Sequence, residues 1–306
     1  MSSGESTKAV VMALVANLGI AVTKFVAYLL SGSSAMLAES VHSVADSGNQ
    51  VLLLVGGRRA RRTATPEHPF GYGHLRYLYA FMVAIVLFTL GGLFALYEAW
   101  HKIRDPHPIT SWQWVPVVVL LVSMALETTA LRTALRQSRE GRARFGLLGY
   151  IRRSKAPELP VVLLEDSAAL IGLAFALVGV SLTLVTGNGV WDGIGTAAIG
   201  LLLVVVAVLL AIEVQSLLVG EAASEENIRR IRQAVLECED IDAVIHMRTL
   251  HLGPEELLVA LKVAVDAEDD ARRVARAIDE AERRIRAAVP IAHLIYIEPD
   301  LLRTPT

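Results

Sequence analysis

The chain has 306 residues, 54% of them hydrophobic and 20% charged, and its mean hydropathy is +0.49. A soluble globular protein of this length rarely has so apolar a composition, so the sequence indicates a membrane protein. The formal net charge of −2 indicates no nucleic-acid partner, and the single cysteine, Cys238, excludes an internal disulfide framework and a multi-cysteine metal site. We expect Cys238 to be a small buried apolar residue.

Six runs of the sequence are long and apolar enough to cross a bilayer as helices, since a span needs roughly 20 residues. The first run carries Asn17 and Lys24 and lacks the features of a cleaved signal, so we expect it to remain part of the structure. The six predicted spans are Ala9–Leu30, Ala35–Gly57, Leu75–Trp100, Val115–Leu135, Pro160–Thr186 and Ile194–Leu218.

Basic residues cluster in the connections that follow spans two and four, whereas the connections containing "SGSS" and "TGNG" have none. By the positive-inside rule the basic connections are cytoplasmic, and six spans then place both termini in the cytoplasm as well. The basic residues are Arg58, Arg59, Arg61 and Arg62 in the first connection, and Arg139, Arg142, Arg144, Arg152, Arg153 and Lys155 in the second.

Span two carries a polar stripe within "AESVHSVADSGNQ", residues 38–50. Glu39, His42, Asp46 and Asn49 are spaced by three, four and three residues, which puts all four on one face of a helix. Ionisable groups in lipid are costly and usually face a bundle interior, so the stripe predicts a substrate or ion site. His42 and Asp46 can present an imidazole nitrogen and a carboxylate oxygen to one cation, but two ligands are too few for a transition metal, so other spans must contribute.

Span five supplies two adjacent carboxylates, Glu165 and Asp166, within "VVLLEDSAAL". The alternative interpretation is that the buried carboxylates pair with Lys24, although one lysine cannot neutralise the whole set. Asn17 and Lys24 of span one and Glu127 of span four either line an ion path or bond across helices.

Two further features are weaker signals. Asp192 lies at the start of span six, where we expect it to cap its own helix. The loop "EHPFGYGHLRY", residues 67–77, offers two histidines and a glutamate for an accessory metal site. In the C-terminal part of the chain, His246, His251 and His293 are more typical of surface residues than of ligands.

The composition changes near Gly220, so we predict a transmembrane domain over residues 1–220 and a soluble domain over residues 221–306. In the second domain, "SEENIRRIRQAVLECED" predicts a helix with Ser224 as N-cap, and Asp269–Ala288 predicts another. The segments "AVIHMRTLHLG", "ELLVALKVAVD" and "AHLIYIEP" predict strands. The order αββαβ fits one small domain with two helices on one face of a three-stranded sheet.

Together these motifs resemble the cation diffusion facilitator transporters over nearly the whole chain. The resemblance rests on the six spans, "SGSSAMLAESVHSVAD", "HPFGYGHLRY", an acidic residue in span five and the αββαβ tail. "LLEDSAALIG" and "FGYG" look most like the branch that contains the mitochondrial zinc exporters. The resemblance implies a six-helix membrane fold with a ferredoxin-like cytoplasmic domain, a homodimer, and exchange of a divalent metal, usually zinc, for protons.

Carried over by position, the resemblance assigns His42, Asp46 and Asp166 as metal ligands. The family's remaining ligand in span five, commonly a histidine, falls on Val162, so Glu165, Glu39, Glu127 or water fills the fourth position, and Glu165 is our first choice. The resemblance makes zinc the first candidate for the transported metal. Replacing an imidazole ligand by a carboxylate favours harder ions, so manganese, cobalt, nickel or iron also fit. In the tail, the family's cluster retains only His246 and Glu298, so we expect the tail to fold without metal and to bind zinc weakly.

The sequence therefore predicts a metal exporter of the bacterial plasma membrane, driven by proton antiport, that is not an enzyme and needs no cofactor beyond the transported ion. An intramembrane metallohydrolase would need a motif such as H-E-x-x-H, which is absent. The remaining alternative is a membrane metal sensor or scaffold that does not transport.

Overall fold

The computed structural model describes residues 3–302; the side chains of residues 3–16, 140–142, 144, 145, 148 and 153 are outside that description. The N-terminal two thirds of the chain are helical. The helices are α1 (Ser3–Ser31), α2 (Ser34–Ala60), α3 (Leu75–Val86), α4 (Phe94–Arg104), α5 (Trp114–Gln137), α6 (Arg139–Arg153), α7 (Glu158–Thr186) and α8 (Val190–Val219).

The predicted helical membrane fold is confirmed. Within residues 3–302, four helical stretches are long and apolar enough to cross a membrane: Leu75–Arg104, Trp114–Gln137, Glu158–Thr186 and Val190–Val219. The described apolar part of α1 is Asn17–Ser31, and α2 is long enough at 27 residues but carries the polar stripe. The first and second predicted spans therefore correspond to helices α1 and α2.

Two irregularities interrupt the helical segments. Span three is continuous from α3 to α4 through a π-helical turn at Leu87–Leu93, where Gly91 and Gly92 face Leu203 and Val204 of α8. The basic connection after span four forms α6, which is broken at Gly146 (φ 72°, ψ 178°). Glycine tolerates this positive φ because it has no Cβ.

Small residues let the spans approach closely. A Cβ on Gly179 of α7 would lie 2.8 Å from the Trp191 carbonyl oxygen and 3.2 Å from the Gly195 Cα of α8. Such contacts are typical of helix pairs in membranes, where packing replaces the hydrophobic driving force. Residues that include Leu120, Leu173 and Ile199 form the buried apolar core around these contacts.

The C-terminal part has the predicted αββαβ order: α9 (Glu225–Leu236), β1 (Ala243–Gly253), β2 (Glu256–Ala264), α10 (Ala271–Ala288) and β3 (Ala292–Asp300). Strand β2 is central, antiparallel to β1 and parallel to β3. The Ser224 side chain accepts a hydrogen bond from the Asn227 backbone N–H, which confirms Ser224 as the N-cap of α9. Cys238 is buried in the core of this domain, as expected.

By contacts, the chain divides into two compact units. One comprises the chain up to Gly57 together with Leu78–Val214, and the other comprises Arg58–Tyr77 together with the chain from Gln215 onward. In the second unit the loop after α2 contacts the β1–β2 hairpin: an added Cβ on Gly73 would meet the Leu252 carbonyl oxygen at 2.5 Å. Arg76 Nη1 lies 3.8 Å from Glu255 Oε1 in the same unit.

Candidate metal site

The polar face of α2 is buried. Glu39, His42 and Asn49 are at most 1% exposed, and the Asp46 side chain is 19% exposed. His42 Nδ1 lies 3.5 Å from Asp46 Oδ1, but neither atom, nor His42 Nε2, has a hydrogen-bond partner among the described residues. Buried polar atoms are almost always satisfied, so unpaired ring nitrogens beside a carboxylate indicate a place for a ligand. His42 and Asp46 thus lie side by side on one face of α2, and their role as metal ligands stays a prediction.

Glu39 is engaged by span one. Lys24 Nζ is 2.9 Å from Glu39 Oε2 and donates a second hydrogen bond, also 2.9 Å, to Ser43 Oγ. Lys24 is 1% exposed, so this is a buried ion pair between α1 and α2. The alternative that Lys24 neutralises a carboxylate of the stripe is thus confirmed for Glu39. Asp46 and Glu165 are left for another partner.

On α7, the two adjacent carboxylates point to different neighbours. Glu165 is 7% exposed, and its Oε1 accepts a 2.7 Å hydrogen bond from Asn49 Nδ2 of α2. Asp166 is half-buried, and the carboxylates of Glu127 and Asp46 are close enough to repel it. Consecutive residues on a helix project about 100° apart, which accounts for this divergence.

A small polar cavity lies beside Asp46. It is lined by Asn17, Ile20, Ser43, Asp46 and Glu127. Glu127 thus shares a cavity with a predicted ligand, whereas the carboxylate of Glu165 is bound to Asn49. Ser43 was not singled out from the sequence; its position next to His42 inside an apolar helix was the available signal.

The structure does not gather the predicted ligands into a finished coordination shell. Among the described residues, no group of three or more His, Cys, Asp or Glu side chains is arranged to hold a metal. His42 and Asp46 are together on α2, and Asp166 of α7 has Asp46 among its charged neighbours. Glu165 contacts α2 about one turn farther along, at Asn49. The four-residue ligand set remains a prediction.

Asp192 does not cap its own helix as expected. Its carboxylate instead accepts hydrogen bonds from the backbone N–H groups of Ser34 and Ala35, the first residues of α2. Helix N-termini have unpaired N–H groups and attract negative charge, so an acid from another span can cap them as well as a local one. The cap joins residues 158 positions apart, which sequence spacing cannot reveal.

In the C-terminal domain, a lysine lies between the two residues that resemble the family's metal cluster. His246, Lys262 and Glu298 occupy paired positions on β1, β2 and β3. Lys262 Nζ is 2.9 Å from Asp300 Oδ2 and 3.0 Å from Glu298 Oε1. These hydrogen bonds raise the pKa of Lys262, Asp300 contributing most. A fixed ammonium at this position opposes metal binding at Glu298.

The loop histidines and the remaining histidines of the C-terminal domain differ in their surroundings. The His68 ring lies edge-on to Tyr72 at 4.6 Å, and His251 is buried with Nδ1 3.3 Å from the Gly253 carbonyl oxygen, although we expected a surface residue. Burial lowers the pKa of His74, and the nearby Glu256 carboxylate partly opposes this shift. His293 is exposed.

Comparisons with known proteins agree with this architecture. A family model described as "Cation efflux transmembrane domain" matches residues 10–219, and one described as "Cation efflux protein, cytoplasmic domain" matches residues 223–300. The mitochondrial proton-coupled zinc antiporter of Homo sapiens is 28% identical over 261 residues, which are 85% of this chain and 45% of that protein. Metal tolerance protein C4 of Arabidopsis thaliana is 30% identical over 251 residues, which are 81% of this chain and 55% of that protein.

This chain spans about half the length of these curated relatives. Among solved structures, a nickel form of a variant MamM CTD covers 26% of this chain and 100% of its own, with a TM-score of 0.25 and 15% identity.

Proposed function

Because the chain belongs to the cation efflux family, as its motifs indicated, we propose that it exports a divalent transition-metal ion, zinc first, in exchange for protons. The observation that carries the proposal is the buried pair His42 and Asp46, whose imidazole nitrogens and Oδ1 have no hydrogen-bond partner within the described residues. Zinc and proton coupling are supported by the name of the human relative, a proton-coupled zinc antiporter. A transport role implies that the chain is not an enzyme.

His42, Asp46 and Asp166 hold the ion in this proposal, and Glu165 is the fourth group. An imidazole and carboxylates suit zinc, and the excess of carboxylate also admits manganese, cobalt, nickel or iron. The metal is the substrate of the site. Binding requires a neutral imidazole and ionised carboxylates, so protons arriving at the same groups displace the metal.

The fourth position is the weakest part of the ligand set. The hydrogen bond from Asn49 occupies Oε1 of Glu165 and leaves Oε2 for an ion, whereas Glu127 already lines the cavity beside Asp46. Two matched amide variants test the choice. If Glu165 is the ligand, Glu165→Gln should weaken zinc binding and Glu127→Gln should leave it unchanged. The reverse result would assign the position to Glu127.

The chain is a multi-pass membrane protein, and we assign it to a bacterial plasma membrane with both termini in the cytoplasm. The basic connections after α2 and α5 support this orientation by the positive-inside rule. The C-terminal domain is the proposed contact between two copies in a homodimer. Alternating access then consists of the spans rocking around a fixed site between α2 and α7.

Purified protein in liposomes, with a zinc-sensitive dye inside and an imposed pH gradient, tests the proposal. We expect zinc uptake that follows the gradient and is abolished by His42→Ala or Asp46→Ala. Glu213→Ala is the matched control. It also removes a carboxylate from a predicted span, but Glu213 Oε1 lies 3.7 Å from Arg152 Nε and is not one of the proposed ligands. Near-normal uptake by Asp46→Ala would remove the central claim, and metal binding without uptake would favour a sensor or scaffold.

A further inference from the structure

Asp192 is the most completely bonded acidic group in the described part of the membrane helices. It is fully buried, and its Oδ1 accepts from Ser33 Oγ at 2.7 Å and from the Ala35 N–H at 3.3 Å. Its Oδ2 accepts from the Ser34 N–H at 2.7 Å and from Ser34 Oγ at 3.1 Å. One side chain of α8 therefore binds the first two backbone N–H groups of α2.

The network extends to two further spans. The Asp192 backbone N–H donates to Thr183 Oγ1 of α7 at 2.9 Å. Lys102 Nζ, at the end of α4, lies 3.9 Å from Asp192 Oδ2 and donates to the Gly32 carbonyl oxygen at 2.9 Å. Thr196 Oγ1 lies 3.0 Å from Ser34 Oγ and donates to the Asp192 carbonyl oxygen. The end of the bundle that holds the α1–α2 turn is thus fastened at α2, α4, α7 and α8.

The first turn of α2 and the residues that bind it are buried at this end. Ser33, Ser34, Ala35, Met36 and Asp192 are each at most 1% exposed. An ion bound at His42 lies eight residues, about 12 Å, along α2 from Ser34, so it would have to move past these buried residues to leave at this end. The same distance means that Asp192 cannot touch the ion.

We propose that Asp192 is a positioning residue that keeps the N-terminus of the metal-binding helix α2 docked on α8, and that metal leaves at this end only when the docking breaks. The proposal rests on the transport function proposed above for its role in export. Replacing protein hydrogen bonds by water lets the cap open without leaving the α2 N–H groups unpaired.

Cysteine labelling tests the docking itself. In a Cys238→Ala background, which has no other cysteine, Met36→Cys places a thiol at a fully buried position of α2. An amide at position 192 cannot accept as the carboxylate does, so Asp192→Asn should raise the labelling rate by an impermeant maleimide at least about tenfold. Asp105→Asn is the matched control, because the Asp105 side chain is 81% exposed and lies near the same end of α4.

A second variant guards against simple misfolding. Thr196→Val removes one hydroxyl of the network and should raise labelling by a smaller factor, about two- to fivefold. In both variants zinc affinity at equilibrium should stay within about threefold of the parent, since the ligands are remote, while the maximal transport rate changes more than the apparent KM. A purely structural role would lower binding and transport together.

Labelling at the parental rate in both Asp192→Asn and Thr196→Val would overturn the docking role. Equal acceleration by Asp105→Asn would overturn it as well, because the effect would not belong to this network. If the parent binds zinc but transports none, the export proposal fails, and the labelling result still decides whether Asp192 docks α2.

Discussion

The buried ion pair between Lys24 and Glu39 gives the sharpest test of which residues in the polar stripe stabilise the fold and which bind metal. Lys24 is 1% exposed and Glu39 is 0% exposed, with Nζ and Oε2 2.9 Å apart. Lys24→Met removes the partner of Glu39 Oε2, and Oε1 already has no hydrogen-bond partner among the described residues. The variant therefore leaves a buried carboxylate without its cation. Breaking one side of a buried pair costs about 3–5 kcal/mol, and we expect a loss of that size in the free energy of unfolding.

The double variant Lys24→Met with Glu39→Leu should recover most of this loss. Replacing both members of a buried pair by apolar residues of similar volume is often close to neutral, so its stability should lie within about 1 kcal/mol of the parent. Denaturant unfolding of the purified protein in detergent measures the stability of the single and the double variant. Arg152→Gln is the control, because Arg152 is 75% exposed, 3.7 Å from Glu213, and should change stability by less than about 1 kcal/mol.

Zinc affinity of the same variants separates a structural Glu39 from a liganding one. If Glu39 serves only Lys24, the double variant should bind zinc within about threefold of the parent. A loss of more than about tenfold, the scale seen when groups that support a metal site are removed, would show that Glu39 contributes to metal binding and would refute the reasoning. A double variant as unstable as Lys24→Met alone would refute the ion-pair account.

Three further predictions concern the loop after α2, zinc binding by the C-terminal domain, and competition between protons and zinc. Gly73→Ala would place a Cβ 2.5 Å from the Leu252 carbonyl oxygen, so it should destabilise the contact of loop 58–77 with the hairpin by about 1–3 kcal/mol, read as faster hydrogen exchange there. Gly57→Ala, which meets nothing within 4 Å, should leave that exchange unchanged. Full-length Asp46→Ala should retain no tightly bound zinc by elemental analysis, because Lys262 opposes a site in the tail; one zinc per chain would contradict this. Zinc affinity of the parent, measured by calorimetry, should weaken as the pH falls from about 7.5 to 6, and a flat profile would exclude proton competition.

Most of the fold could be predicted from the hydropathy and periodicity of the sequence. The spans appear as apolar runs, and the αββαβ order of the tail follows from alternating and helical patterns around Ser224. The stripe on α2 was also readable, because i,i+3 and i,i+4 spacing determines which side chains share a helix face. Local periodicity is sufficient for features like these, whose cause lies within one element.

Features that depend on contacts between elements far apart in the sequence could not be predicted from it. Asp192 caps a helix that begins 158 residues earlier, and Lys262 separates His246 from Glu298 only because three strands place them in register. Gly146 breaks α6 with a positive φ, while other glycines in the spans serve close packing. A glycine or an acid in a sequence does not reveal which neighbour it meets.

The different neighbours of Glu165 and Asp166 on α7 could not be predicted from the sequence for the same reason. The pair Glu165 and Asp166 looked like two ligands for one ion, yet adjacent positions on a helix face different neighbours. Glu165 meets Asn49 across the α2 interface, and Asp166 lies in range of Asp46 and Glu127. An ion that gathers His42, Asp46 and Asp166 must therefore either draw in the Oε2 atom of Glu165 or take its fourth oxygen from elsewhere. The first route makes the Asn49 hydrogen bond to Oε1 a support for a metal ligand, and so couples metal binding to the contact between α2 and α7. The second route leaves that hydrogen bond with a structural role alone.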